Sequence, residues 1–190
     1  MAKNLAWQIL VVSIALAAAA AAGCASEEEG KMGKTQTATI SVTSTAFKEG
    51  GTIPKEYTAD GENVSPPLAW KDLPEEAAAI ALLCEDPDAP KGMFVHWVIF
   101  NIDAKSAGLP RAVPKTDTLP DGAAQGKNNF NKTGYDGPSP PKGRPHRYFF
   151  RVYALNQKLD LKPGVTRDAV RKAMEGHILA EGSLMGKYGR

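Results

Sequence analysis

The alternation of apolar and polar residues predicts β-strands along most of the chain after residue 37. Thr39 to Ser44 alternates β-forming and small polar residues, which predicts a half-buried strand. Met93 to Ile102 is mostly β-branched or aromatic and carries no charged residue on either face, which predicts a central strand. The same reasoning predicts three more strands, at Leu68 to Trp70, Arg147 to Leu155 and Ile178 to Lys187.

One further apolar run has two interpretations. Ala77 to Glu85 is rich in alanine, which favours a helix, but its short length and flanking prolines favour a buried strand. A single helix is predicted at Val165 to Gly176, because Thr166 is a good N-cap, Asp168 suits the first turn and Gly176 suits the position after the end.

Lys105 to Gly143 is a long stretch rich in Pro, Gly and Asn with few apolar residues, and it predicts a long loop of a kind that is often functional. Long loops rather than regular helices separate the predicted strands, which argues against a doubly wound α/β sheet. The sequence therefore predicts one mainly β domain over residues 38–190 with one or two short helices.

The composition is that of an ordinary globular domain. The chain has 190 residues, 43% of them hydrophobic and 23% charged, and a formal net charge of +2. Lys and Arg are dispersed rather than clustered, so nucleic acid is not expected as a partner.

The first residues read as a targeting segment. An apolar run from Ile9 to Ala22 precedes Gly23 and Cys24, which predicts a signal peptide over residues 1–23. The Gly-Cys junction resembles the cleavage box of bacterial lipoproteins, which implies a lipid on Cys24, a tether over residues 24–37 and an exported domain held at a membrane of the cell envelope. Ordinary secretion and an uncleaved anchor are the alternatives.

Only two cysteines occur, Cys24 and Cys84. If Cys24 carries lipid, no disulfide can form within the chain. Cys84 lies in the apolar run 77–85, which predicts a buried and inert thiol.

Three polar side chains lie near the ends of apolar strand faces: Asp86, His96 and His146. One face of the strand 93–102 is predicted to carry Phe94, His96, Val98 and Phe100. If the three strands are neighbours, two imidazoles and a carboxylate converge beside the loop 134–145, which is stiffened by Pro and Gly. The simpler alternatives are a hydrogen-bonded core histidine and a turn aspartate.

Three segments resemble the phosphatidylethanolamine-binding protein (PEBP) family in its bacterial Raf-kinase-inhibitor-like branch. The first is Asp86-Pro87-Asp88-Ala89-Pro90 followed by His96-Trp97. The second is Gly137-Pro138-Ser139-Pro140-Pro141-Lys142-Gly143 with His146-Arg147-Tyr148. The third is Ala180-Glu181-Gly182-Ser183-Leu184-Met185-Gly186-Lys187-Tyr188.

The resemblance implies a PEBP-like fold, with a large central antiparallel sheet packed against a smaller sheet. It also implies a small pocket at one end of the sheet that binds phosphate, a phosphorylated head group or another anion. Carried over by position, the ligand-binding residues are Asp86, His96, Pro140, Pro141, His146 and Tyr148. Two positions depart from the eukaryotic pattern, since Ser139 replaces Gly and Phe94 replaces Trp.

The sequence-based hypothesis is therefore an exported, membrane-tethered protein that binds a small anion. The alternative is an interaction module that inhibits a protease or, less compatibly with export, a kinase. A third hypothesis, a metal-dependent or hydrolytic enzyme, rests on the two histidines and one carboxylate. No Gly-x-Ser-x-Gly or His-Glu-x-x-His motif supports it, so no catalytic residue, metal ligand or cofactor is assigned.

Overall fold

A computed structural model describes residues 38–190 of the chain. The predicted signal peptide, the lipidation at Cys24 and the tether 24–37 lie outside the described residues. Within them the chain is mainly β, with one α-helix, α1 (Arg167–Met174), and a 3₁₀ turn at Lys55–Tyr57. The strands are β1 (Ala38–Thr39), β2 (Ser41–Thr43), β3 (Leu68–Lys71), β4 (Ala79–Asp86), β5 (Phe94–Asp103), β6 (Gly108–Leu109), β7 (Ala124–Gln125), β8 (His146–Leu155) and β9 (Ile178–Tyr188).

Two sheets form the domain. The large sheet has the strand order β1-β9-β8-β4-β5-β7, and the small sheet has the order β2-β3-β6. All neighbours in the large sheet are antiparallel except β1, which pairs in parallel with β9. The expected large and small sheets are confirmed, and the large sheet is mixed at its β1 edge rather than wholly antiparallel.

The single strand predicted at Thr39 to Ser44 is wrong, because the chain changes sheets within it. β1 pairs with β9 and β2 pairs with β3. Between them lies Ile40, which is buried and whose amide donates to the Glu181 carbonyl at 2.9 Å. Alternation gives the face of each residue, but it does not reveal which sheet a strand joins.

The large sheet is covered on both faces. One face packs against the small sheet through a core that includes Leu82, Cys84, Trp97 and Phe150. The opposite face, with Leu83 among its residues, packs against α1 and its neighbouring loops. Every residue of β4 is buried, so the ambiguous run 77–85 is a central strand, and the expected burial of Cys84 is confirmed.

The predicted helix is confirmed, although it is two residues shorter at each end. The Thr166 hydroxyl accepts a hydrogen bond from the Ala169 amide at 3.3 Å and caps the helix. Gly176 follows the helix with φ of +77°, a left-handed conformation that glycine adopts without a Cβ clash.

The long loop expected at Lys105 to Gly143 contains two short strands, β6 and β7. Buried polar side chains hold much of it in place. The Gln125 amide nitrogen donates to the carbonyls of Pro114 and Thr116 at 2.7 Å each, and its oxygen accepts from the Trp97 indole at 2.7 Å. Hydrogen bonds therefore take the place of the missing apolar anchors. None of the helices in residues 38–190 is long and apolar enough to cross a membrane.

Candidate functional site: a polar cavity at the end of the large sheet

A cavity of about 170 Å³ lies at the end of the large sheet. All six residues predicted to bind a ligand line it, together with five others. The lining residues are Asp86, Ala89, Pro90, Phe94, His96, Phe130, Ser139, Pro140, Pro141, His146 and Tyr148.

Three adjacent strands bring the polar groups together. β8, β4 and β5 are neighbours, as the predicted convergence required. Asp86 is the last residue of β4, His146 is the first of β8, and His96 is the third of β5. Since the strands are antiparallel, the end of β4 lies beside the starts of β5 and β8.

A β-bulge places His96 toward the cavity. Cys84 pairs with Trp97 and Glu85 pairs with Val95, so His96 is the extra residue on β5. The face predicted for β5 is therefore wrong beyond this point. Val98 packs on the helix-covered face, together with Phe100, whereas Trp97 joins the core between the sheets.

Asp86 orients His146. The Nδ1 atom of His146 lies 2.8 Å from Oδ2 of Asp86, and both side chains are buried. The other oxygen of Asp86 accepts from the Asp88 amide at 2.8 Å. Asp86 is thus both a turn residue and an imidazole partner. Because the carboxylate accepts the Nδ1 proton, Nε2 of His146 is the ring nitrogen left for a ligand.

A backbone carbonyl orients His96. Its Nδ1 lies 2.6 Å from the carbonyl oxygen of Asp136, which can only accept, so Nδ1 carries the proton. Burial lowers the pKa of His96, although the Asp136 carbonyl and the Asp86 and Asp136 carboxylates favour its charged form. His96 is therefore neutral near pH 7, and its Nε2 is a hydrogen-bond acceptor.

Asp136 is a supporting residue to which sequence reasoning gave no role. Its carboxylate accepts hydrogen bonds from Asn63, Asn128 and Lys115, at 2.9, 2.9 and 3.1 Å. Burial alone would raise the pKa of Asp136, but these donors outweigh it and hold the pKa below its usual value. The segment Gly134-Tyr135-Asp136-Gly137 was a signal, because an acidic residue between glycines marks a fixed turn.

Tyr148 contributes an unused donor. It is completely buried, and its hydroxyl has no hydrogen-bond partner among the described residues. Burial raises the pKa of Tyr148, and the nearby Asp86 carboxylate raises it further, so the hydroxyl stays protonated. A buried hydroxyl without a partner is costly, and its presence at a cavity is typical of a binding site.

The loop rich in Pro and Gly forms one wall of the cavity, and contacts with residues outside the cavity hold it in place. The Arg190 guanidinium donates to the Pro140 carbonyl at 3.3 Å and to Oδ2 of Asp60 at 2.8 Å. Gly137 lies against the backbone of Tyr57 and Thr58, where a Cβ atom would clash. Proline rigidity and these contacts fix the wall before any ligand binds.

Comparison with known proteins identifies the family. The family model named "Phosphatidylethanolamine-binding protein" matches residues 43–189. The chain belongs to the phosphatidylethanolamine-binding protein family. A curated relative, the UPF0098 protein of Methanothermobacter thermautotrophicus, is 54% identical over 145 residues, which is 76% of this chain and 95% of the relative.

Two solved structures agree with this assignment. The PEBP homolog CT736 from Chlamydia trachomatis has a TM-score of 0.73 and 38% identity, over 80% of this chain and 98% of its own. YbcL from E. coli, described as a member of the mammalian PEBP family, has a TM-score of 0.75 and 32% identity, over 80% and 99%. The predicted family and fold are therefore confirmed.

Phe130 lines the mouth of this PEBP cavity and was missed by sequence reasoning. Its ring centroid lies 4.9 Å from that of Phe94 and 5.7 Å from that of His96, and 39% of the residue is exposed. A lone aromatic residue in the Asn-rich segment 128–131 was the available signal, because exposed aromatic residues in polar loops often contact ligands.

Charge at the PEBP cavity comes from few groups. Among the described residues, no Lys or Arg lines it, so the histidines are the only lining residues that can carry positive charge. No group of three or more His, Cys, Asp or Glu within residues 38–190 is arranged to hold a metal ion. The arrangement can therefore orient a small polar ligand through two imidazoles, a hydroxyl and a rigid wall.

Proposed function

We propose that this PEBP-family chain is a binding protein whose cavity holds a small anion, namely phosphate or a phosphorylated group. The cavity is small, preformed and walled by apolar side chains, with a few polar groups that converge. These properties suit a compact, strongly solvated ligand more than a protein segment.

The buried Tyr148 hydroxyl is the single observation that carries this proposal. A buried donor with no partner among the described residues favours a ligand with exposed acceptor oxygens, because such a ligand would supply that partner. The two imidazoles beside it add charge to the site when they are protonated.

Isothermal titration calorimetry of the full chain with phosphate, phosphoethanolamine and acetate tests the proposal. We expect binding of at least one of the three, and a weaker affinity for a His96→Ala variant. His177 is the matched control, because it is the only other histidine after the tether and bonds to Asn156 at the far end of α1. A full absence of binding at pH 5.5 and at pH 8 would sink the proposal.

The proposal extends to location. The apolar run before Gly23 and Cys24 supports export and lipid attachment at Cys24, with residues 25–37 as a spacer. The binding domain would then face the outer side of a bacterial membrane and sample anions in that compartment.

A further inference from the structure

The two cavity histidines have each committed one ring nitrogen. Nδ1 of His146 donates to the Asp86 carboxylate, and Nδ1 of His96 donates to the Asp136 carbonyl. An imidazole that is neutral with its proton on Nδ1 has a lone pair on Nε2. Each histidine can therefore offer a ligand only Nε2, which accepts a hydrogen bond in the neutral ring and donates one after protonation.

The surrounding charges do not supply a fixed cation. The Asp86 and Asp136 carboxylates act on His96, and the Asp86 carboxylate and the Arg190 guanidinium act on Tyr148 in opposite directions. The Arg190 and Arg147 guanidinium groups are already paired, because Arg190 binds Asp60 and Arg147 binds both oxygens of Asp88. At pH 7 to 8 the cavity thus combines the acceptor Nε2 of neutral His96 and the Asp86 carboxylate with Nε2 of His146 and two hydroxyl groups, those of Tyr148 and Ser139.

This arrangement discriminates between oxyanions by the proton they carry. A fully deprotonated oxyanion has only acceptors, so it leaves the neutral Nε2 of His96 unpaired and faces the negative charge of Asp86. An oxyanion with a P–OH group can donate to one Nε2 and still accept from Tyr148. A buried acceptor discriminates strongly against a ligand that has no donor for it. Other binding sites that hydrogen-bond a ligand hydroxyl reject analogues without that hydroxyl in the same way.

We infer that the cavity selects oxyanions that bring their own acidic proton, such as inorganic phosphate or a singly protonated phosphate monoester, over sulfate and phosphodiesters. This inference rests on the proposed anion-binding function and adds the ligand class. A phospholipid head group is a phosphodiester, so the preferred ligand is a free phosphate or a monoester rather than an intact lipid.

The affinity of oxyanions that carry a proton should depend on pH differently from the affinity of oxyanions that carry none. Sulfate can bind only after an imidazole takes up a proton, so its affinity falls as pH rises. Inorganic phosphate keeps at least one proton at pH 8 and can bind there to neutral His96. A phosphate monoester loses its second proton at a pKa of about 6, so it binds like phosphate at pH 5.5 and less tightly at pH 8.

Calorimetry of the full chain with phosphate, sulfate, methyl phosphate and dimethyl phosphate at pH 5.5 and pH 8 tests the inference. We expect phosphate to bind roughly tenfold or more tightly than sulfate at pH 8, with a smaller ratio at pH 5.5. Dimethyl phosphate should follow sulfate, and methyl phosphate should weaken between the two pH values. Repeating each titration in buffers of different ionisation enthalpy should show proton uptake with sulfate and little with phosphate at pH 8.

The outcomes separate the two proposals. Equal affinities for phosphate and sulfate at both pH values overturn the inference and leave anion binding intact. If none of the four anions binds while methylammonium does, both the inference and the proposed function are wrong. Tighter binding of dimethyl phosphate than of phosphate at pH 8 also overturns the inference and points to a lipid head group.

A variant provides an independent check. A His96→Gln side chain can turn its amide NH₂ toward the ligand, so it replaces the acceptor that requires a proton on the anion. We expect the phosphate-to-sulfate ratio at pH 8 to fall toward one in this variant. A His177→Gln control should keep the ratio of the unmodified chain. An unchanged ratio in His96→Gln, with the protein folded, would exclude His96 as the source of the selectivity.

Discussion

Replacing Tyr148 by Phe should raise the free energy of unfolding of the ligand-free protein and lower its affinity for phosphate. The substitution keeps the ring and removes a hydroxyl that is fully buried and has no partner within the described residues. An unsatisfied buried polar group costs about 1–3 kcal/mol, so we expect the variant to be more stable by about 1 kcal/mol. For a domain of this size that corresponds to a rise in melting temperature of about 2–4 °C.

The effect on binding has the opposite sign. A hydrogen bond to a charged group contributes about 1.5–3 kcal/mol, so its loss should weaken phosphate binding roughly tenfold to a hundredfold. Urea denaturation measures the stability, and calorimetry measures the affinity. Tyr153→Phe is the matched control, because its hydroxyl accepts from the Arg171 guanidinium at 2.8 Å on the other face of the sheet. That variant should lose a little stability and no affinity.

The reasoning about Tyr148 makes two separable claims. A Tyr148→Phe protein that is less stable than the unmodified protein would show that the hydroxyl is satisfied in the folded state. An unchanged affinity for phosphate would show that the hydroxyl does not contact the ligand. Either result would remove the observation on which the binding proposal depends most.

Three further predictions concern the stability of the fold and the membrane attachment of the protein. Gly182→Ala should destabilise the protein by more than about 2 kcal/mol in urea denaturation, because the new Cβ would overlap the Ile40 carbonyl; a cost near zero would mean that the β1 edge is loose. Hydrogen bonds from Arg190 hold the pKa of Asp60 at about 2, so its stabilising contribution is present above about pH 4 and is lost as pH falls toward 2. An Asp60→Asn variant should therefore lose less stability between pH 4 and pH 2 than the unmodified protein, and equal losses would contradict this. Cys24→Ser should abolish palmitate labelling and release the protein from the membrane fraction, whereas retention of the label would exclude Cys24 as the lipidated residue.

Period-two alternation correctly placed the polar groups of two strands. It puts Asp86 in phase with Cys84 and His146 in phase with Tyr148, and all four lie on the cavity-facing side of the large sheet. That β8, β4 and β5 are neighbours was an assumption at the level of sequence, because alternation contains no information about strand order.

The same alternation gave the right orientation for His96 but the wrong partners. A bulge adds one residue to β5 at His96, so the phase changes between the cavity end of the strand and its middle. Val98 consequently faces α1 rather than the small sheet. No residue type near His96 marks a bulge, since the segment reads as an uninterrupted apolar strand.

Residues contributed by the long loop were the least predictable part of the site. Phe130 and Asp136 reach the cavity and its supporting network through hydrogen bonds between side chains and distant backbone, such as the bond from Asn128 to the Gly134 carbonyl at 3.0 Å. Such contacts have no sequence period, so they become visible only when the tertiary structure is known.

A crystal structure of the protein grown with phosphate at pH 8 tests the central claim most directly. We predict phosphate in the cavity, with one oxygen within hydrogen-bonding distance of the Tyr148 hydroxyl and another within that distance of Nε2 of His96 or His146. A cavity that holds only water at a phosphate concentration that saturates calorimetric binding would contradict the account, because the anion would then bind elsewhere on the protein.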